Sequence, residues 1–511
     1  MCAIAGSKNH KEVKKMLSLM SHRSPDGEEI ISYHDYEFSI GMGRLAIIDR
    51  GSNKSLAYTR WGTTVSFNGE IYNYRDIRKQ LENIGYEFET ECDTEVILVA
   101  FKQWGTDCFA MFDGMFAIAI KDGPRVILAR DIMGQKPLYY KLSKQYGFAF
   151  ASEAKALYGP GTSITSHTYF NNFEHVLGEK TLYRNVYQVL PAHFLVFDIV
   201  DDSLVEKVKY YTLKHRHIDR RHVLEELDIL IGNSLRKMLS EVKDISTLYL
   251  SGGVDSTLLN TYHRFSDPIK YDYSEDNKKD FEKNIKKIAH LLDFPVGSFS
   301  SYALYNLSKK AHEKGKKVIL SGEGADEVFG GYMRYVPVAN MSQMKNLYPS
   351  YLSLFSKAYE KDFDIYGMSE VYARITKREA NLDFYKNLTD PYFEKFEPIE
   401  AMQRFDLDFI FPSLLQMGDR MAMANQIENR CPFLDRDVVE FGLSLPPDLK
   451  INNSITKVVL RQLLAKRGGV AEREKTGLLV PYNKWYGLDG YSRGHYFNKL
   501  NNLWKKQSLH R

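Results

Sequence analysis

Removal of Met1 from the opening run Met1-Cys2-Ala3-Ile4-Ala5-Gly6 would leave Cys2 with both a thiol and a free α-amine. The small residues at positions 2 and 3 suit that cleavage. A thiol near pKa ~8.5 is mostly protonated at neutral pH, and an α-amine near ~7.7–8.0 can take its proton. One residue would then supply nucleophile and base with no histidine partner. Taken alone, Cys2 reads equally as a small apolar core residue.

Three more clusters in the first half hold polar residues that a buried strand would not choose. Arg44 stands in Gly43-Arg44-Leu45-Ala46-Ile47-Ile48-Asp49, followed by Phe67-Asn68-Gly69-Glu70-Ile71-Tyr72-Asn73 and then Cys92-Asp93-Thr94-Glu95. An Arg clamps a carboxylate with two parallel hydrogen bonds, and an Asp holds an ammonium, so Arg44 with Asp93 suits the head group of a free amino acid. The side-chain amide of Asn68 beside the N–H of Gly69 suits an oxyanion hole. Asn68-Gly69 equally suits a hairpin turn.

The second half offers a different chemistry. Thr247-Leu248-Tyr249-Leu250-Ser251-Gly252-Gly253-Val254-Asp255-Ser256 reads as an apolar strand, a glycine turn and a helix start. Successive N–H groups in such a turn, with the helix terminus behind them, favour an anion. No Walker A run accompanies it, and an ordinary junction capped by Asp255 or Ser256 is the alternative. Lys317–Tyr332 repeats the pattern of an apolar strand followed by glycines and acids. Asp419-Arg420 and Glu428-x-Arg430 read as helix ion pairs that shape a site.

These residues need elements to position them. The first 200 residues read as short strands at Glu37–Ile48, Thr63–Phe67, Ala117–Lys121, Arg125–Arg130, Leu138–Lys141, Gly147–Ala151 and His193–Asp198. Helices are expected at Lys11–Met20, Tyr74–Ile84 and Thr94–Trp104. An amphipathic helix over His222–Ser240 precedes a strand at Ser246–Leu250, and helices dominate from Asp280. The charged stretch Asp201–Arg221 is read as the linker between domains at 2–205 and 222–511. A length of 511 residues exceeds what one core usually organises. A net charge of +4 without a basic stripe argues against a nucleic-acid partner. The four cysteines (Cys2, Cys92, Cys108, Cys431) lack CxxC spacing, which indicates neither a disulfide framework nor zinc. No apolar run reaches membrane-spanning length, and no signal-peptide core opens the chain, so a cytoplasmic location is expected.

Cys2 with Ala5-Gly6, His22-Arg23-Ser24-Pro25-Asp26-Gly27, Arg44–Ile47, Asn68–Asn73, Asp93 and the run from Arg130-Asp131 to Tyr139-Tyr140 resemble the class II glutamine amidotransferases. Ser251–Ser256, Ser321–Tyr332, Asp419–Ala424, Glu428–Asp435 and Lys457 resemble the pyrophosphatase-loop domain of asparagine synthetases. Together they are similar to the glutamine-hydrolysing asparagine synthetase family over nearly the whole chain. The resemblance implies an N-terminal αββα sandwich of the N-terminal-nucleophile type. It also implies a following α/β domain, adenine nucleotide α-hydrolase-like, with a parallel sheet and a helical C-terminal part. It implies glutamine, ATP and aspartate as substrates, Mg²⁺ as cofactor, asparagine, AMP and pyrophosphate as products, and a homodimer.

By the same resemblance Cys2 is the nucleophile, and Asn68 with Gly69 stabilises the oxyanion. Arg44, Leu45, Ala46, Ile47, Ile48, Glu70 and Asp93 hold glutamine. Leu250, Tyr273, Ser321 and Gly322 hold the nucleotide, and Ser251, Gly252, Gly253, Asp255 and Ser256 hold pyrophosphate. Asp255 and Asp326 ligate Mg²⁺, Glu323 positions or deprotonates the attacking amine, and Lys457 stabilises charge at the reacting centre. Two departures stand out. Ser24 replaces a usual Gly, which should alter a loop and leave the chemistry. The interval between Thr257 and Ser321 is short, and no Arg occurs between Arg264 and Arg334. A dicarboxylic acceptor needs a cation there; Lys309, Lys310 or an Arg from the C-terminal helices would have to serve. Otherwise the acceptor is another carboxylate, such as a uronic-acid sugar or a peptide side chain.

Overall fold

The computed structural model describes residues 2–48, 57–143, 147–159, 163–164, 175–270, 272, 278–339, 369, 372, 382–470, 480–488 and 493–509. Tyr273 lies outside them.

Alternating apolar strands in the first 210 residues build two six-stranded antiparallel sheets. One runs β10 (Val186–Gln188), β8 (Tyr139–Ser143), β9 (Gly147–Ala151), β1 (Ala3–Ser7), β3 (Phe38–Gly43) and β2 (Glu28–Tyr33). The other runs β12 (Ser203–Lys209), β11 (His193–Asp198), β7 (Arg125–Arg130), β6 (Gly114–Asp122), β5 (Thr63–Ile71) and β4 (Tyr58–Arg60). Period-2 alternation then sorts the side chains. Cys2 and Ile4 join Ile40, Ala117, Leu128, Phe150 and Phe197 in the apolar layer between the sheets. Ala3 and Ala5 face the other way, onto Val13 and Leu17 of helix His10–Leu19. Helices Tyr74–Asn83 and Asp93–Trp104 cover the outer face of the second sheet through Ile77, Leu81, Val96 and Val99. The result is the expected αββα layering.

Three expectations change here. Arg44–Ile48 follows β3 as a loop, because Leu45 and Ile47 leave the sandwich to join the apolar core of the second half. Asn68-Gly69 is mid-strand, paired with Ala117 and Phe116, so the hairpin alternative falls. The first part of the charged stretch Asp201–Arg221 is β12, an edge strand whose outward Glu and Lys side chains mask its pairing to β11.

Helix Val223–Leu239 opens the second half and packs on a parallel sheet of β13 (Ser246–Leu248), β14 (Val318–Leu320) and β15 (Glu428–Arg430). Both pairings are parallel, and Ser321 and Cys431 follow directly at the carboxyl ends of their strands. Ligands bind such sheets at that edge. Glu428-x-Arg430 therefore lies on a strand and not on a helix. Three residues are too few for a period to register, and their two charges look like surface until a partner buries them. Among the described residues no helix is long and apolar enough to cross a membrane.

Candidate active sites

Cys2 is 7% exposed at the start of β1, and its backbone nitrogen donates to Asn68 Oδ1 at 2.9 Å. That nitrogen becomes the α-amine when Met1 is removed. Asn68 is fully buried on β5, and its Nδ2 has no partner among the described residues. Gly69 has φ +152°, and a Cβ there would stand 2.0 Å from the Met115 carbonyl oxygen, so only glycine permits β5 to lie this close to β6. Burial pushes the Cys2 thiol up; the positive N-terminus, the Leu45 N–H and Arg44 act the other way.

Asp93 sits on the first turn of its helix and accepts from Ile71 N at 3.1 Å. Burial holds its carboxyl well above the ordinary carboxylate range. Arg44 is 7% exposed and donates to the Ile48 carbonyl at 3.0 Å, which closes the loop over the site. Asp26 accepts from Ala46 N at 2.7 Å and pins the same loop from the side. The structure thus brings Cys2, Arg44, Asn68, Gly69, Glu70 and Asp93 to one end of the sandwich. Ser24 fits because its side chain occupies the space that Gly43 leaves without a Cβ.

At the second site, the turn after β13 is tied by Ser256, whose Oγ accepts from Ser251 N at 3.1 Å and meets Ser251 Oγ at 2.9 Å. Helix Val254–Tyr262 starts here with Gly253 at its N-cap and no side-chain cap, so neither Asp255 nor Ser256 spends itself on capping. Asp255 instead meets Lys457: its Oδ2 is 2.5 Å from Nζ, and Asp326 Oδ1 is 2.9 Å from the same nitrogen. Burial opposes the lysine's charge, but the two aspartates outweigh it and hold Lys457 well above its usual range. Two carboxylates converging on one cation are hard oxygen donors of the number Mg²⁺ uses beside phosphate oxygens, so the pair fits that ion.

Glu323 follows β14 and is held from two elements. Asn429 Nδ2 donates to its Oε2 at 2.8 Å, and Cys431 Sγ lies 3.6 Å from the same oxygen. Its carboxylate rests on Gly418, where a Cβ would come within 2.8 Å of Oε1. Burial lifts Glu323 to about 7, against Cys431, Asn429 and Lys136, which lower it, and Asp419, which raises it.

Sequence reasoning missed how the sites join. Arg430 pairs with Glu70 at 3.2 Å and with Glu428 at 2.6 Å, which links β15 to the first site. Arg23, fully buried, donates to the Cys2 carbonyl at 3.2 Å and reaches Asp419 at 2.8 Å and Glu153 at 3.1 Å. Arg420 answers with Asp293 at 3.3 Å, and Asp293 accepts from Ala154 N and Lys155 N at 2.7 and 2.8 Å. Charged residues of both halves thus neutralise one another in the interior. The available signal was Asp419-Arg420, a pair of charges set in an otherwise apolar run; His22-Arg23 stands among polar residues and gave none.

A buried Cys2 on an αββα sandwich, packed on a parallel-sheet domain with a glycine turn at its carboxyl edge, has the layout of a two-site amidotransferase. The sequence model of the glutamine amidotransferase domain matches residues 1–233, and that of asparagine synthase matches residues 273–508. Asparagine synthetase [glutamine-hydrolyzing] 1 of Bacillus subtilis is 29% identical over 93% of this chain and 84% of its own length. Putative asparagine synthetase [glutamine-hydrolyzing] 2 of Methanocaldococcus jannaschii is 29% identical over 71% and 80%, and B. subtilis asparagine synthetase [glutamine-hydrolyzing] 3 is 25% identical over 91% and 84%. The chain belongs to the glutamine-hydrolysing asparagine synthetase family, whose members use ATP as co-substrate.

Proposed function

We propose that this chain makes asparagine from aspartate, glutamine and ATP, with residues 2–205 as glutaminase and 222–511 as synthetase. The observation that carries the reading is β15, which meets both sites: Arg430 pairs with Glu70 at one, and its neighbour Asn429 bonds Glu323 at the other. Two independent hydrolases would have no use for such a shared wall.

In the first half-reaction the Cys2 amine takes the thiol proton, and the thiolate attacks the side-chain amide carbon of glutamine. The unspent Nδ2 of Asn68, with the Gly69 N–H, receives the oxyanion. Arg44 and Asp93 hold the α-carboxylate and α-ammonium, with Glu70 and the backbone of Leu45, Ala46, Ile47 and Ile48 around them. Ammonia leaves, and water releases glutamate from the thioester. In the second, Leu250, Ser321, Gly322 and Tyr273 hold the nucleotide and the Ser251–Ser256 turn holds the departing pyrophosphate. Asp255 and Asp326 would hold Mg²⁺, which would supply positive charge to the phosphates. Lys457 stabilises charge at the α-phosphorus and Glu323 takes the proton of the attacking nitrogen.

One observation favours a second reading, amidation of a different carboxylate. Arg334, the first Arg after the interval that lacks one, is committed to Asp406, and Lys309 reaches Glu313 at 3.8 Å on an exposed helix face. The deciding experiment is pyrophosphate release with glutamine and Mg²⁺-ATP, with aspartate present or omitted, alongside amino-acid analysis. Aspartate-dependent pyrophosphate matched by asparagine is the expected result. Glutamate release without asparagine would overturn aspartate as the acceptor and move the search to uronic acids and peptides.

A further inference from the structure

Asn429 is 7% exposed, and only one end of its amide is used. Nδ2 donates to Glu323 Oε2 at 2.8 Å. Oδ1 is buried and has no partner among the described residues. A buried carbonyl oxygen left unpaired costs about 1–3 kcal/mol, so such an atom calls for a reason. A purely structural tether to Glu323 does not supply one, because it needs only the NH₂.

The geometry points to Asn429 as a binding residue for the nitrogen nucleophile: Oδ1 accepts an N–H from incoming ammonia while Nδ2 holds the carboxylate that will take its proton. Amide bond lengths place Oδ1 roughly 2.3 Å from Nδ2. Oδ1 therefore lies within about 5 Å of Glu323 Oε2. A nitrogen standing about 2.9 Å from each oxygen spans that interval with two ordinary hydrogen bonds. Ammonia has three N–H groups and one lone pair. Two N–H groups engaged on Asn429 and Glu323 leave the lone pair to face the acyl carbon. The lone pair then forms the C–N bond, the acyl C–O bond to AMP breaks with its electron pair leaving on AMP, and one nitrogen-bound proton passes to Glu323.

The inference rests on Glu323 acting as the base in the proposed synthesis, and the tests keep the two apart. Synthesis is driven by ammonium chloride, with saturating Mg²⁺-ATP and aspartate. Asn429→Leu is expected to raise the KM for ammonium at least tenfold while the KM values for ATP and aspartate stay within twofold, and to increase the fraction of pyrophosphate released without amide. An unchanged KM for ammonium, or KM values for ATP and ammonium rising together, would overturn the role. Asn429→Asp keeps the acceptor oxygen and sets a second carboxylate against Glu323, whose other charged and titratable neighbours are Lys136, Asp419, Tyr249 and Cys431. The acid limb of ammonia-dependent synthesis should then move up by about one pH unit; an unmoved limb counts against the contact. If Glu323→Gln retains full synthesis, it is the base assignment that fails. A substrate-free readout remains whatever the acceptor. Ammonium chloride should shift the infrared carboxylate band that Glu323→Gln removes, and Asn429→Leu should abolish that shift; a shift that persists in Asn429→Leu overturns the proposal.

Discussion

At the first site the residues proposed to act hang from an antiparallel sandwich and are almost wholly buried, with Cys2, Arg44, Asn68, Glu70 and Asp93 each less than a tenth exposed. At the second they stand in turns beyond a three-stranded parallel edge, with Ser251 exposed and Asp255 and Asp326 about one-fifth open. The contrast follows from the charge each must handle. A thiol and an amide are nearly neutral, and burial costs little until the thiolate forms beside donors already in place. A triphosphate carries several negative charges and would be repelled by a closed carboxylate-lined pocket. The second site keeps its carboxylates neutralised by Lys457.

Breaking one site while sparing the other is the sharpest test of that contrast. Cys2→Ala should reduce glutamine-dependent asparagine formation by at least about 10⁴-fold, since no second group can form the thioester. Synthesis from ammonium chloride should persist at near the parent rate. Measuring both nitrogen sources on one preparation checks it; parallel loss of both activities would mean that the sites do not work separately.

The converse change is Lys457→Leu. It removes the cation between Asp255 and Asp326 and any charge stabilisation at the α-phosphorus, so acceptor-dependent pyrophosphate release should fall by about 10²–10³-fold. Glutamine hydrolysis without ATP should continue. Full pyrophosphate release in this variant would leave the two aspartates as the whole of the charge-handling apparatus.

Each site was legible in the sequence to the extent that its residues are contiguous. Asn68-Gly69-Glu70 and Ser251-Gly252-Gly253 sit on or beside single strands, and the apolar alternation of β5, β7, β9 and β11 shows directly in the residue types. Strands β1 and β2 escaped because Ala3-Ile4-Ala5-Gly6-Ser7 is too small-sided, and Glu28–Tyr33 too polar, to register as half-buried. The junction escaped for another reason. Arg23, Glu153, Asp293 and Asp419 lie far apart in the chain, and a charge seen alone predicts a solvated face. Only the fold reveals that they neutralise one another inside.

That junction sets the third prediction. Arg23→Leu would leave Asp419 and Glu153, beside the Cys2 carbonyl, with Arg420 as their remaining shared guanidinium. Breaking one partner of a buried pair costs about 3–5 kcal/mol. A lowered melting temperature with both activities reduced is expected, and Asp419→Leu added to Arg23→Leu should recover part of the loss. Additive losses in the double variant would show that the two side chains are not energetically coupled.

The smallest effect lies where the two halves meet at the surface. Lys317 Nζ reaches Asp26 Oδ2 at 3.1 Å and the Ala46 carbonyl at 3.2 Å, and about one-third of each charged side chain is open to water. A pair this exposed is worth about 0–1 kcal/mol. Burial acts to raise the Asp26 carboxyl, but the Ala46 N–H and Lys317 prevail and hold it below its ordinary value. A carboxyl depressed in the folded chain contributes stability above its unfolded pKa and loses it as pH falls through the folded one. Lys317→Met should therefore lower stability slightly at neutral pH, and its difference from the parent should fade as pH falls through the folded pKa of Asp26. The loop that Asp26 pins through Ala46 carries Arg44, so the variant should also raise the KM for glutamine by about two- to fivefold with an unchanged rate from ammonium. A larger rise would mean that Lys317 contacts glutamine itself. No rise at all would place the hold on that loop in the backbone bond from Ala46 N to Asp26, which Asp26→Asn would then weaken where Lys317→Met does not.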